Sequence, residues 1–288
     1  MMESARIVAR RIWREGSLTV GSRSIPEETA VALTFNGGTY AVMMTTPQDL
    51  EDFAVGFSLN EGIISAASDI NSLDIMPLDD GVELRMWLTK TKADGLQRRR
   101  RHIAGPTGCG LCGIESIAEA LRPTAVIGCG RQFSPEQIMM AMQGLSSRQK
   151  LNIETRAVHA AAFWSATSGI VALREDVGRH NALDKLSGAL ARASIVADEG
   201  IILLTSRVSV EMVQKSASIG APVIVSVSAP TALAVRMADA AGITLAAIAR
   251  ADGFEVFTHP HRISNAVAAA SDTIVASACL GRAFSDAI

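Results

Sequence analysis

A chain of 288 residues with a net charge of -2, 48% of them hydrophobic and 19% charged, can bury a sizeable core, and its length suits two domains better than one. The near-neutral charge argues against a general nucleic-acid binder. No apolar run is long enough to span a bilayer, and the start MMESARIVARRIWREGS has no apolar signal stretch, so a cytoplasmic protein is expected.

Residues 29–46, TAVALTFNGGTYAVMMTT, are predicted as two strands joined at Asn36-Gly37-Gly38, a turn that needs positive φ. Thr46-Pro47-Gln48-Asp49 then has the composition of a helix start, with Thr46 as N-cap and Pro47 in the first turn, and the helix should run to about Leu59. DIMPLDDGVELRMWLTK predicts a second hairpin around Asp79-Asp80-Gly81. The first part, residues 1–105, therefore reads as a smaller α+β domain that ends at the arginine-rich run before Gly105.

The remainder, residues 106–288, differs in kind. GIILLT, SVEMVQKSASIG, APVIVSV, TALAVRMADAAG and ITLAAIA alternate buried-strand and helix patterns, a β-α-β-α-β order that implies adjacent parallel strands. Ligand sites in such a fold gather at the carboxyl ends of the strands, here Thr205-Ser206-Arg207, Ser228-Ala229-Pro230 and Arg250-Ala251-Asp252. Upstream, Ala182, Leu183, Leu186, Ala189 and Leu190 fall on one helical face, and Glu175 to His180 are read as the loop before it.

Four cysteines are too few for a disulfide framework. Cys109 and Cys112 sit in GPTGCGLCGIESI, just after QRRRRH. A structural zinc site needs four ligands, and no second C-x-x-C exists to complete one; a zinc deaminase would need an H-x-E motif, which is absent. A dithiol redox site would open a helix, whereas glycines flank both thiols here. Thiol transfer fits better, because a nearby arginine run lowers a thiol pKa and glycines let the sulfur move; an incidental surface pair stays open beside it. Cys129 and Cys279 are read as structural.

Three further clusters carry a choice. Glu175, Asp176, Arg179, His180, Asp184 and Lys185 form either a ligand site or a structural salt-bridge network. Ser206 and Arg207, at a strand end before a helix, suit an anion such as phosphate, without the Walker A pattern that ATP hydrolysis would require. Phe257-Thr258-His259-Pro260-His261-Arg262 offers an aromatic face, two imidazoles and an arginine, enough to stack a base and pair a phosphate, or else a polar strand end.

Taken together, GCGLCG, HAAAFW followed by LREDVGRHNALDKL, SRVSVEMVQK, VSAPTALAV and FTHPHR resemble the FdhD family of formate dehydrogenase accessory sulfurtransferases. The resemblance implies an α/β, cytidine-deaminase-like three-layer domain without deaminase zinc chemistry or any intrinsic metal. It implies a sulfurtransferase that takes persulfide sulfur from a cysteine desulfurase and transfers it to the molybdenum-bis(molybdopterin guanine dinucleotide) cofactor, bound as substrate, for the formate dehydrogenase catalytic subunit. Cys109 would carry the persulfide, with Cys112 resolving or protecting it, and Phe257 to Arg262, with Ser206 and Arg207, would bind the guanine-nucleotide cofactor. The rival is a non-catalytic chaperone that only holds the cofactor. Family resemblance also implies a homodimer, which the flat faces of the alanine-rich helices would suit.

Overall fold

The computed structural model describes residues 2–103, 124–128 and 130–264, with the backbone alone for 98–103. The chain is mixed α/β, with a two-stranded ribbon and two larger sheets.

The ribbon pairs β1 (Ala5–Arg14) with β2 (Ser17–Pro26). The second sheet has the order β4-β3-β6-β5, built from β3 (Thr29–Phe35), β4 (Gly38–Thr45), β5 (Ile70–Leu78) and β6 (Gly81–Leu88). Both predicted hairpins are present. Asn36 and Gly37 turn the first at φ 49° and 80°, the left-handed pair that matches strand twist. One face of this sheet packs Leu33, Phe35, Leu84 and Met86 against Phe53 and Phe57 of α1 (Leu50–Asn60). The arginine run lies in α2 (Lys90–Ile103).

The predicted helix start at Thr46 moves. The helix begins at Leu50, after Asp49 at φ 54°, because Thr46 is recruited elsewhere: its N–H donates to Asp176 Oδ2 (3.0 Å), its hydroxyl accepts from Val177 N (3.1 Å), and its carbonyl accepts from Lys185 Nζ (2.8 Å). Three tertiary bonds outweigh one local cap.

The six-stranded sheet runs β12-β11-β10-β9-β7-β8. Its members are β7 (His159–Ser165), β8 (Gly169–Asp176), β9 (Gly200–Leu204), β10 (Val223–Ser226), β11 (Thr244–Arg250) and β12 (Gly253–Thr258). As the β-α-β-α-β pattern requires, β9, β10 and β11 are adjacent and parallel; β7 and β12 flank them antiparallel. Helices cover both faces. Ile202 and Leu204 face α5 (Arg179–Arg192), α6 (Val210–Ile219) and α7 (Ala232–Ala240), whereas Ile201 and Leu203 face Ile138, Ala141 and Leu145 of α3 (Pro135–Ser146). The short α4 (Lys150–Thr155) follows α3. Three layers result.

The two larger sheets are joined through α1 and α5. A Cβ added at Gly56 would lie 1.7 Å from the Asp184 carbonyl oxygen, and one at Gly188 would lie 1.9 Å from that of Asp52, so the two backbones touch where only glycine fits. Buried carboxylates lock the crossing: Asp52 pairs with Arg174 and Arg192, while Asp184 accepts from Asn60 Nδ2 at 2.7 Å and pairs with Lys215 at 2.6 Å.

Candidate functional site

The three parallel strands end at one edge of the six-stranded sheet, where β7 begins and β8 ends, His159 opposite Asp176. Arg179 and His180 open α5 there, Ser206 and Arg207 follow β9, and Glu211 lies in the first turn of α6. The backbone therefore brings these groups to one edge. Ser206 is buried, with its hydroxyl on the Arg207 carbonyl (3.1 Å) and its own carbonyl accepting from Ser226 Oγ (2.6 Å), so it shapes the turn that holds Arg207 in solvent.

The ionisable cluster around α5 divides by role. Asp176 and Lys185 are fully buried and paired at 2.6 Å; Gly178 N (2.7 Å), Asn181 Nδ2 (3.1 Å) and the Thr45 hydroxyl also donate to Asp176. Glu175 accepts from Leu151 N (2.9 Å) and Asn152 N (2.8 Å). These residues, with Asp184, form the structural network that was one of the two sequence readings. Arg179 and His180 instead face the strand edge.

His180 is pushed down to about 4, first by burial and then by Lys215 and Arg179, which the Asp184 carboxylate opposes without offsetting; Glu211, partly exposed, lies 3.1 Å from Nδ1. The imidazole is neutral at pH 7. Because the unfolded chain binds this proton at about 6.5 and the folded chain does not, the unfolded state gains protons as pH falls through 6.5 toward 4, and stability drops in that window. Between pH 7 and 5 the cost is about 2 kcal/mol. Urea unfolding at both pH values is expected to show a smaller acid loss for His180→Asn than for the wild type; equal losses would contradict the assignment.

The Phe257–Arg262 segment lies at the opposite edge. β12 runs antiparallel to β11, so Thr258 pairs with Leu245 at the amino ends of the parallel strands. Thr258 Oγ1 donates to the Ile243 carbonyl (2.7 Å) and accepts from Leu245 N (3.0 Å). His259 turns the chain at φ 45° and sets its Nε2 2.8 Å from the Asp239 carbonyl, with the His261 ring edge-on at 5.6 Å. Pro260 opens the 3-10 turn that follows, and Phe257 is partly exposed. Arg262 differs from the sequence expectation. The residue is 3% exposed and its guanidinium donates to the carbonyls of Gly242 (2.7 Å) and Gly128 (2.6 Å), so it pins three chain segments together instead of presenting charge to a phosphate.

Within one chain the structure thus does not bring Ser206 and Arg207 together with Phe257–Arg262. Some four to six residues of strand, roughly 13–20 Å at ~3.3 Å each, separate the two edges. Cys109 and Cys112, like Cys129 and Cys279, lie outside the described residues. The chain re-enters at residues 124–128 on the Phe257–Arg262 side, where Ile127 N donates to the Ala241 carbonyl (2.8 Å). Sequence reasoning gave no role to His159 or Glu211, since only sheet pairing carries them to the α5 edge. Among the described residues no group of three or more His, Cys, Asp or Glu is placed to hold a metal ion, and no helix is long and apolar enough to cross a membrane.

A family model described as the FdhD/NarQ family matches residues 26–264. The chain belongs to the FdhD/NarQ family. The sulfur carrier protein FdhD of Agrobacterium fabrum is 52% identical over 261 residues, covering 90% of this chain and 96% of that protein. Its namesake from Cupriavidus necator is 47% identical over 253 residues, 88% of each chain. Among solved structures, a putative formate dehydrogenase accessory protein from Desulfotalea psychrophila shares the fold at TM-score 0.73 and 25% identity, covering 91% of this chain and all of that one. The FdhD/NarQ match spans the thiol segment and both edges of the six-stranded sheet, and it begins where the β1–β2 ribbon ends.

Proposed function

We propose that this chain is a sulfur carrier that accepts sulfane sulfur on Cys109 from a cysteine desulfurase and delivers it to the molybdenum-bis(molybdopterin guanine dinucleotide) cofactor required by formate dehydrogenase. One observation carries the reading: the similarity to curated sulfur carrier proteins runs over nine-tenths of the chain, and the family match at 26–264 includes both Cys109 and Cys112. In the loading step the Cys109 thiolate attacks the outer sulfur of the donor's persulfide. A new S–S bond forms on Cys109, the donor's S–S bond breaks, and the donor cysteine leaves as a thiolate, so no external oxidant is needed. Cys112 can then resolve or protect the intermediate. The protein works in the cytoplasm as a homodimer, with residues 1–105 and 106–288 as its two domains.

The cofactor is substrate, and Phe257–Arg262 is its principal seat. Phe257 stacks a guanine, His259 and His261 contribute polar contacts, and Arg262 acts by fixing the turn. Ser206 and Arg207, on the other edge, serve a separate anionic group.

Loading is tested by intact mass spectrometry after incubation with a cysteine desulfurase and cysteine. A reducible gain of about 32 Da, one sulfur atom, is expected on the wild type. No gain would leave the protein a cofactor-holding chaperone. Calorimetry with GDP tests the seat. Stacking on an aromatic side chain is worth about 1–3 kcal/mol per base, so Phe257→Ala is expected to weaken binding roughly tenfold or more, and Arg207→Ala to do less. Unchanged affinity in Phe257→Ala would remove the proposed stacking.

A further inference from the structure

Two helices begin side by side at the carboxyl ends of the parallel strands. His180 Nδ1 lies 3.1 Å from Glu211 Oε2, and one turn further along each helix Asp184 pairs with Lys215 at 2.6 Å, so α5 and α6 run in the same direction with their amino ends together. The Thr205 N–H on the Ala160 carbonyl (3.1 Å) brings His159 alongside Ser206. Free backbone N–H groups and aligned peptide dipoles favour an anion at such a place, but helix starts alone do not define a site.

The side chains add what the helix starts lack. Helices α3 and α7 close their own first turns through the hydroxyls of Ser134 and Thr231. The corresponding positions at this edge are Gly178, which has no side chain, and Ser209, whose buried hydroxyl bonds neither its own helix nor any other group. Arg179 Nε and His180 Nδ1 are likewise buried without a hydrogen-bond partner, since Glu211 Oε2 is close to Nδ1 but outside bonding geometry. Each such atom carries the cost of its desolvation with no bond in return, and three of them share one edge. Charge points the same way. Neither Arg179 nor Arg207 has a carboxylate partner among the described residues, and Arg207 stands in solvent. The acids nearby are otherwise engaged: Asp176 pairs with Lys185 and Asp184 with Lys215, which leaves the partly exposed Glu211. Burial lowers the pKa of both His159 and His180; Arg179 lowers it further at His159, and Lys215 with Arg179 at His180, as expected in a positive field.

We infer that Arg179, His180, Ser209 and Arg207 form a seat for a tetrahedral, dianionic oxyanion of the phosphate class. Donors reach it from the start of α5, the N-cap of α6 and the end of β9. Three directions suit the oxygens of a tetrahedral anion better than the two of a carboxylate, and two guanidiniums free of acids match a double negative charge. The seat rests on the proposed assignment of Arg207 to an anionic group; it adds the class of that group and the residues of two helices that hold it.

Calorimetry on the full-length chain with inorganic phosphate, against chloride at equal ionic strength, tests it. Saturable binding of phosphate alone is expected. Arg179→Gln and Arg207→Gln are each expected to weaken it at least about tenfold, and Ser209→Ala roughly threefold. Glu211→Gln is expected to tighten it, because a like charge beside the anion is removed. Circular dichroism checks the fold of each variant, and the opposite signs of Arg207→Gln and Glu211→Gln, both at side chains open to solvent, remain readable even where Arg179→Gln unfolds. GDP that displaces phosphate would identify a nucleotide's phosphate as the source, and GDP that binds alongside it a free oxyanion; either result supports the seat. A loss in Arg207→Gln with unchanged affinity in Arg179→Gln and Ser209→Ala would keep an anionic group at Arg207 and overturn the seat, as would the absence of saturable heat with phosphate. Sulfur loading on Cys109, followed by mass, is independent of all these outcomes.

Discussion

Replacing Cys109 with alanine is expected to abolish activation of formate dehydrogenase while leaving GDP binding at the wild-type level, and Cys112→Ala is expected to retain part of the activation. The asymmetry follows from the chemistry of a relay. One thiolate must accept the sulfane sulfur in the loading step, so without it the relay has no first intermediate. The second thiol acts on an intermediate that already exists. The readout pairs formate-dependent activity of enzyme matured in cells that hold only the variant with calorimetry on the purified carrier. Binding without activation in Cys109→Ala supports transfer. Full activation by the double cysteine variant would leave the chain a cofactor-holding chaperone, with no sulfur passing through it.

The second large effect lies far from the thiols. Lys185→Met is expected to destabilise the protein by about 3–5 kcal/mol, the usual cost of leaving one member of a buried ion pair without its partner. Lys185 is fully buried; burial pulls its pKa down from the ordinary lysine range, and Asp176 at 2.6 Å is what opposes that pull. Removing the ammonium strands the Asp176 carboxylate and also frees the Thr46 carbonyl, which Lys185 holds at 2.8 Å. For a chain of this size the loss corresponds to a fall of roughly 5–15 °C in Tm. Asp176→Asn combined with Lys185→Met removes both charges and is expected to recover much of the loss. A double variant as unstable as Lys185→Met would show that the pair's charge is not the cause.

This lock explains why the β8–α5 segment is so dense in ionisable groups. Asp176 and Lys185 draw the end of β8, the start of α5 and the β4–α1 connection onto one buried point, and the Gly56–Gly188 contact closes the same seam. The seam sets where α5 begins. It therefore sets where Arg179 and His180 stand relative to Ser206, Arg207 and Glu211.

Local chemistry was legible from the residues alone wherever the backbone decides the outcome within a few positions. Asn36-Gly37 marked a hairpin because few residues accept a left-handed turn, and Asp79-Asp80-Gly81 marked another through its turn-forming composition; the alternation from Gly200 to Ala249 marked parallel strands, because helices must cross over to join them. The arrangement of glycines around Cys109 and Cys112 pointed to sulfur handling, and the family match agrees with the resemblance those motifs carried. What the tertiary structure alone decided is direction and competition. Thr46 has every property of an N-cap, yet three bonds to the β8–α5 segment draw it away and the helix starts at Leu50. Arg262 has the charge for a phosphate, yet carbonyls at Gly128 and Gly242, distant in sequence, claim its donors. Ser206-Arg207 and Phe257–Arg262 both follow strand patterns, but β12 returns antiparallel along β11, so one motif ends at each edge of the sheet. Strand order and direction depend on pairing between residues far apart in the chain, and no local pattern encodes which end of a sheet a motif will reach.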